Sequence, residues 1–390
     1  MHRTAATAGS PSPARGRILY VVTEDWYFLS HRLPMARAAR DAGLEVHVAT
    51  NVAEGGPAIK AEGFVLHPVS FLRGRLSAAG SIKTVQALRR VRRDVRPDIV
   101  HHVALQPIVL GSLAAFGLPA ACVNALTGLG YTFASTTAKA RIMRHLMIAT
   151  IRFLLTRGNS TVLVQNEDDR TMLVSVGIAP SRIALIPGSG IDIETLTPLP
   201  EPAAPPTVAF VGRLLAYKGI RTAVEAHALL HGRGSDVQLL VAGAPDRANP
   251  DSLTDDEAKG WSERPGVTWL GHVRNIPTVW ARAHIAVLPS RHEGIPKSLL
   301  EAAACGRPMV ATDVPGCRDI VRHGETGLLV PVDDPVALAA AIETLAKSPQ
   351  LRARYGAAAR RLAVERFSDD AIGRQTVELY RRLAPQVELT

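Results

Sequence analysis

The residues predict a two-domain α/β chain, each half a doubly wound parallel sheet. Three observations carry that prediction. A strand–helix–strand unit opens the chain, five prolines fall between residues 198 and 206, and the same alternation restarts directly behind them. Joining neighbouring strands through a helix makes them parallel and covers both faces of the sheet. The 390 residues suffice for two cores. At 47% hydrophobic and 21% charged residues, the composition is that of a globular protein.

Residues 1–16 are rich in Ala, Ser, Pro and Arg without an apolar run, so they read as a disordered tail and not as a secretory signal. The first domain takes residues 17–198. Arg17-Ile18-Leu19-Tyr20-Val21-Val22 is a strand candidate buried on both faces. A loop over residues 23–28 carries Glu24, Asp25 and three aromatics. A helix over residues 30–42 ends before Gly43, and residues 44–49 form the second strand. In Ser30-His31-Arg32, Ser30 and His31 either face an acceptor or serve as a cap and a surface residue.

Residues 81–96 make a basic helix, with Arg89, Arg90, Arg92 and Arg93 beside Val85, Leu88 and Val91; Pro97 ends it. The next strand ends in His101-His102. Open α/β sheets bind ligands outside the carboxyl ends of their strands, so one of these histidines is a candidate for the cleft, His102 in preference. Packing is the competing role. Residues 121–124 lead into Leu126-Thr127-Gly128-Leu129-Gly130, whose spacing is not a dinucleotide fingerprint and reads as a loop at the cleft.

Residues 136–157, from Thr136 onward, alternate Ile142, Leu146, Ile151 and Leu155 with Lys139, Arg141, Arg144, Arg152 and Arg157. That pattern suits a helix in the headgroup layer of an anionic membrane, or a core helix with a solvated basic stripe. No run reaches the roughly 20 apolar residues that span a bilayer. Strands at residues 161–164 and 183–186 precede the glycine loop Pro187-Gly188-Ser189-Gly190, and a stiff linker over residues 199–206 follows. The second domain, residues 207–367, restarts with Thr207-Val208-Ala209-Phe210-Val211 and places Arg213 and Lys218 just behind that strand.

Its organising stretch is Glu293-Gly294-Ile295-Pro296-Lys297-Ser298-Leu299-Leu300-Glu301, behind a short apolar strand. Pro296 suits a helix start, and the free amides of a helix N-terminus favour an anion. Two carboxylates, Glu293 and Glu301, share the same turn. Amides and acids together suit a ligand that is both a phosphate ester and a polyol, namely a nucleotide sugar. No D-x-D metal motif accompanies them; Asp333-Asp334 precedes a helix and reads as a cap.

This stretch resembles the donor-site signature of the retaining glycosyltransferases of family 4, which have the GT-B fold of two facing Rossmann-like domains. The resemblance implies that Glu293 meets the donor sugar, that the backbone of Gly294, Ile295, Pro296, Lys297, Ser298 and Leu299 meets sugar and diphosphate, and that Glu301 holds the ribose. Arg213 and Lys218 match the diphosphate-binding pair, Gly190 a diphosphate-facing loop, and His102 a histidine that contacts the donor sugar. Many members carry a glycine pair in the first loop; here that loop is acidic and aromatic. Residues 101–102, 126–131 and 165–168 resemble the subgroup acting on lipid-linked or capsular glycan precursors, which puts Thr127 on the acceptor side. The implied enzyme is a hexosyltransferase that uses a UDP-sugar as substrate and needs neither metal nor cofactor. Its implied acceptor is a polyprenyl-diphosphate-linked or polysaccharide precursor, and its last helix, residues 368–390, crosses back onto the first domain. A nucleotide-sugar epimerase and a non-catalytic nucleotide-binding protein are the alternatives.

A net charge of +10 predicts attraction to polyanions, yet 5% aromatics and no nucleic-acid module argue against nucleic acid. Three scattered cysteines without a CxxC pair suit a reducing compartment. The expected location is the cytoplasm, peripheral to the inner face of the cell membrane.

Overall fold

The computed structural model describes residues 15–71, 78–126, 152, 158–203, 205–246, 249 and 251–390. Thr127 and, apart from Arg152, the basic segment 136–157 lie outside the described residues, as does the tail up to residue 14.

Two parallel sheets form. The first has seven strands: β1 (Gly16–Glu24), β2 (Leu44–Asn51), β3 (Val65–Pro68), β4 (Ile99–Val103), β5 (Ala121–Ala125), β6 (Ser160–Val164) and β7 (Ile183–Leu185). They lie in the order β3-β2-β1-β4-β5-β6-β7. The second has six: β8 (Thr207–Val211), β9 (Gln238–Ala242), β10 (Val267–Trp269), β11 (Ile285–Leu288), β12 (Met309–Thr312) and β13 (Gly327–Val330), ordered β10-β9-β8-β11-β12-β13. In both sheets the order reverses beside the first strand, so β1 faces β4 and β8 faces β11 across a switch point. The carboxyl ends there form a crevice, which is where such sheets take ligands. The central strands are apolar along their length because both faces are covered: Ile18, Leu19, Tyr20, Val21 and Val22 are all buried.

The structure corrects the first loop. Strand β1 runs on to Glu24, and helix α1 (Asp25–His31) follows without a break. Asp25, only 1% exposed, accepts the amides of Ala53 (2.6 Å) and Gly55 (2.9 Å) through Oδ2, so the acid closes a neighbouring loop and leaves the aromatics on a helix. The helix expected over residues 30–42 splits at Arg32, where α2 (Leu33–Asp41) begins with Pro34 in its first turn. Helices α3 (Ala78–Val95) and α4 (Leu105–Ala114) flank β4, and α5 (Glu167–Ser175) follows β6. In the second sheet, α6 (Ile220–Gly232) follows β8 and α7 (Lys297–Ala304) follows β11.

The chain crosses between the sheets twice. The crossings touch at a parallel bridge between Ile191 and Ser368, with the Asp369 amide donating to the Ile191 carbonyl (3.0 Å). Beyond the second crossing, α8 (Asp369–Leu383) packs along α2, and Ile372, Leu379, Tyr380 and Leu383 complete a core shared with Ile18, Tyr20 and Met35. Among the described residues no helix is long and apolar enough to cross a membrane.

Candidate functional site

Behind β11, the loop from Pro289 to Pro296 carries the chemistry. Ser290 Oγ donates to Glu293 Oε1 (2.7 Å), and Thr312 on β12 holds the Ser290 carbonyl. Lys218 Nζ grips both oxygens of Glu293, at 2.6 and 2.8 Å, with both side chains largely buried. Lys218 reaches it because Gly219 behind it has φ +74°, and a Cβ there would sit 1.9 Å from the Pro289 carbonyl oxygen. Only glycine allows the two loops to touch so closely. Gly316 does the same on the other side, with φ +78° and a built Cβ 1.8 Å from the Gly294 carbonyl oxygen.

Helix α7 opens with Pro296 as its N-cap, one residue earlier than a first-helical position, and no side chain caps it. Among the described residues the amides of Gly294, Ile295, Lys297 and Ser298 find no acceptor. Bare amides at the positive pole of a helix are an anion seat. One turn further, the side-chain carboxyl of Glu301 has no hydrogen-bond partner among the described residues. Burial pushes its carboxyl up to about 7, a rise that Lys297 partly offsets. A carboxylate without partners beside an anion seat is ready to accept hydroxyl groups.

Arg213 stands across from this helix and pairs with Asp246 (2.8 Å). The two line a cavity of about 410 Å³ with Gly212, Gly243, Ala244, His272, Val273 and Ile276. The wall from the first sheet's side is Trp26 of α1, 44% exposed.

The acceptor-side candidates Ser30 and His31 end α1. Lys297 donates to the Ser30 carbonyl across the cleft at 2.8 Å. His31 stacks on Tyr27 at 4.3 Å, and burial with the nearby charges of Lys297, Arg32 and Arg213 drops its pKa to about 3, so the ring is neutral. Asn166, at the start of α5, donates to the Gly294 carbonyl (3.2 Å). Gly190, φ +89°, lies against Asp369 Oδ1 and Pro34, while Gly188 lies against Ile295.

His102 is a correction. It is 1% exposed, bonded through Nδ1 to Asn124 Oδ1 (2.8 Å) and pressed against Gly111, where a Cβ would fall 2.3 Å from its Nε2. His101, fully buried, points to the opposite face and meets Tyr380 Oη at 2.7 Å. Successive strand residues alternate faces, and both faces here are covered by helices, so neither ring reaches the cleft. Glu293, Arg213, Lys218, Gly294, Ile295, Pro296, Ser298, Gly190, Ser30 and His31 lie on loops and helix ends and Glu301 lies one turn into α7, whereas the Leu299 side chain is buried in the second core and its amide donates to the Pro296 carbonyl (3.1 Å). Sequence reasoning missed Trp26, whose only signal was an aromatic in an expected loop, and the side chain of Lys297, a cation at the wrong pole of a helix. Among the described residues no group of three His, Cys, Asp or Glu side chains is arranged to hold a metal.

Residues 205–348 match the family model described as "Glycosyl transferases group 1", and residues 17–166 match "Glycosyl transferase 4-like". The chain belongs to the GT-B glycosyltransferases. A similar relative of this GT-B chain is N,N'-diacetylbacillosaminyl-diphospho-undecaprenol alpha-1,3-N-acetylgalactosaminyltransferase of Campylobacter jejuni. It is 24% identical over 382 residues, covering 92% of this chain and 99% of its own. Alpha-D-kanosaminyltransferase of Streptomyces kanamyceticus is 35% identical over 46% of this chain and 46% of its own, so the chain spans about half the length of that relative. Among solved structures, sucrose-phosphate synthase from Thermosynechococcus elongatus superposes with a TM-score of 0.79 at 22% identity, over 94% of this chain and 99% of its own. Anabaena HepE in complex with UDP-glucose does so with 0.76 at 18%, over 94% and 100%.

Proposed function

We propose that this protein transfers a sugar, with retention and without a metal ion, from a UDP-sugar to a lipid-linked or polysaccharide precursor. The observation that carries the reading is the uncapped N-terminus of α7, flanked by the Lys218–Glu293 pair and followed by the unpartnered Glu301. In it the α7 amides, Arg213 and Lys218 receive the diphosphate, the ribose hydroxyls donate to Glu301, and Glu293 orients the sugar. The nucleobase takes the cavity beside Trp26. As the bond from the anomeric carbon to the diphosphate oxygen breaks, negative charge grows on that oxygen. Fixed cations and amides aimed at it stabilise the transition state most when already in position. The acceptor hydroxyl then bonds to the same carbon from the same face, and the departing phosphate oxygen takes its proton. The Campylobacter relative's name carries a diphospho-undecaprenol acceptor and HepE binds UDP-glucose, which supports the classes of acceptor and donor. The basic helix α3, with Arg90 and Arg93 exposed, suits work at the inner face of the cell membrane.

The test incubates the protein with labelled UDP-sugars, membrane lipid extract and EDTA. Label entering the organic phase despite the chelator is the expected result. A changed nucleotide sugar left in the water would instead mark an epimerase. Glu301→Ala and Arg213→Ala are each expected to weaken UDP binding at least tenfold; unchanged affinity in both would overturn the donor site.

A further inference from the structure

Lys297 stands where a cation is unfavourable. It is the first residue of α7, at the positive pole of its own helix. An ordinary surface lysine there would turn to water. Instead its side chain is half-buried, and its ammonium crosses to the first sheet's side of the cleft, donating to the Ser30 carbonyl at 2.8 Å with Ser30 Oγ at 3.5 Å. Ser30 lies in the last turn of α1, where carbonyls have no helical partner and the dipole is negative. The ammonium thus leaves the wrong pole of one helix for the right pole of another.

It does so unpaired. Among the described residues no carboxylate lies within ion-pair distance of Lys297, yet its charge is felt by Glu301 on its own helix, by His31 on α1 and by Asp369 at the start of α8. These three groups belong to the donor side, the acceptor side and the second crossing. The contact therefore links the helix that would bind the donor to the helix that would meet the acceptor.

We propose that Lys297 is a positioning residue that ties α7 to α1 across the cleft, so that engaging the donor and closing the cleft are one event. The proposal rests on the donor site described above. When the cleft opens, the ammonium loses its carbonyl and α1 moves away with Trp26, which walls the cavity beside Arg213. A bound nucleotide favours the state in which that wall is present, and by linkage the state with the tie formed holds nucleotide more tightly.

The test measures the distance between spin labels at Lys60→Cys and Arg233→Cys, exposed positions on the two halves, in a Cys122→Ser background that leaves only the buried Cys305 and Cys317. Ligand-free Lys297→Met should show a broader and longer distance distribution than the parent, and Lys297→Arg should restore it. UDP affinity should fall about tenfold in Lys297→Met, within the range usual for such couplings, and recover in Lys297→Arg. Thermal melts identify any variant that fails to fold, with Lys297→Gln in reserve. An unchanged distance distribution in Lys297→Met, or equal loss in the Met and Arg variants, overturns the proposal. If the parent protein itself does not bind UDP, the donor-site reading fails, while the ligand-free distances still judge the tie.

Discussion

Glu301 carries a conflict between stability and binding. Burial raises its carboxyl to about 7, above its ordinary value of 4.5. A carboxyl raised on folding contributes stability that is full below the unfolded pKa and lost as pH climbs through the folded one, here between about 4.5 and 7. At pH 8 the wild type therefore holds an ionised, unpartnered acid. Glu301→Gln is expected to gain on the order of 1–3 kcal/mol at pH 8 and almost nothing at pH 4.5, read by denaturant melts at both pH values. The same change should weaken UDP binding, and wild-type affinity should fall from pH 8 to pH 6 as the acceptor is protonated; calorimetric titration of the two proteins checks both. His102 is the opposite case, a packing group without a task in the cleft. Gly111→Ala forces a methyl into its ring and should cost about 2 kcal/mol or more by thermal melt, with kcat of the folded enzyme within twofold.

At the scale of elements, the site depends on loops that touch backbone to backbone. Gly316→Ala meets both a left-handed φ and the Gly294 carbonyl, so the motif loop must shift. We expect at least tenfold weaker UDP binding together with a lower Tm; a variant with unchanged affinity would show that the loop's exact position does not matter. This arrangement also explains what could be read from the residues. The stretch from Glu293 to Glu301 was legible because strand, turn and helix N-terminus are local events, each with its own residue signal. Of the two roles the residues leave open for His102, the structure shows packing; strand alternation says that two neighbours face opposite ways, not which face opens to a ligand. The first loop became a helix because Asp25 binds the distant amides of Ala53 and Gly55. Lys297 and Trp26 act across the cleft, through contacts between residues some 190 to 270 positions apart, and no local pattern announces those.

Taken whole, the molecule is two sheets whose parts are exchanged along the sequence. Tyr380 of α8 shares a hydrogen bond with Tyr20 of β1 (2.8 Å) and another with His101 of β4, all three buried. Tyr380→Phe leaves both partners short of a bond and should cost about 1–3 kcal/mol, with a thermal melt as the check. Removing residues 369–390 strips the first sheet of one side of its core while sparing most of the second, so the first half should lose its protection against hydrogen exchange and the second keep it.

That exchanged helix also fixes a timetable. A ribosome adding roughly 5–20 residues per second takes on the order of 10–40 seconds to go from the last strand of the first sheet to Tyr380. For that interval the newborn amino-terminal half waits on the surface of Ile18, Tyr20 and Met35 without its final cover, while the carboxyl-terminal half can finish on emergence. The part made first is the part completed last, and a prematurely terminated chain would present that apolar face to whatever chaperone stands at the exit.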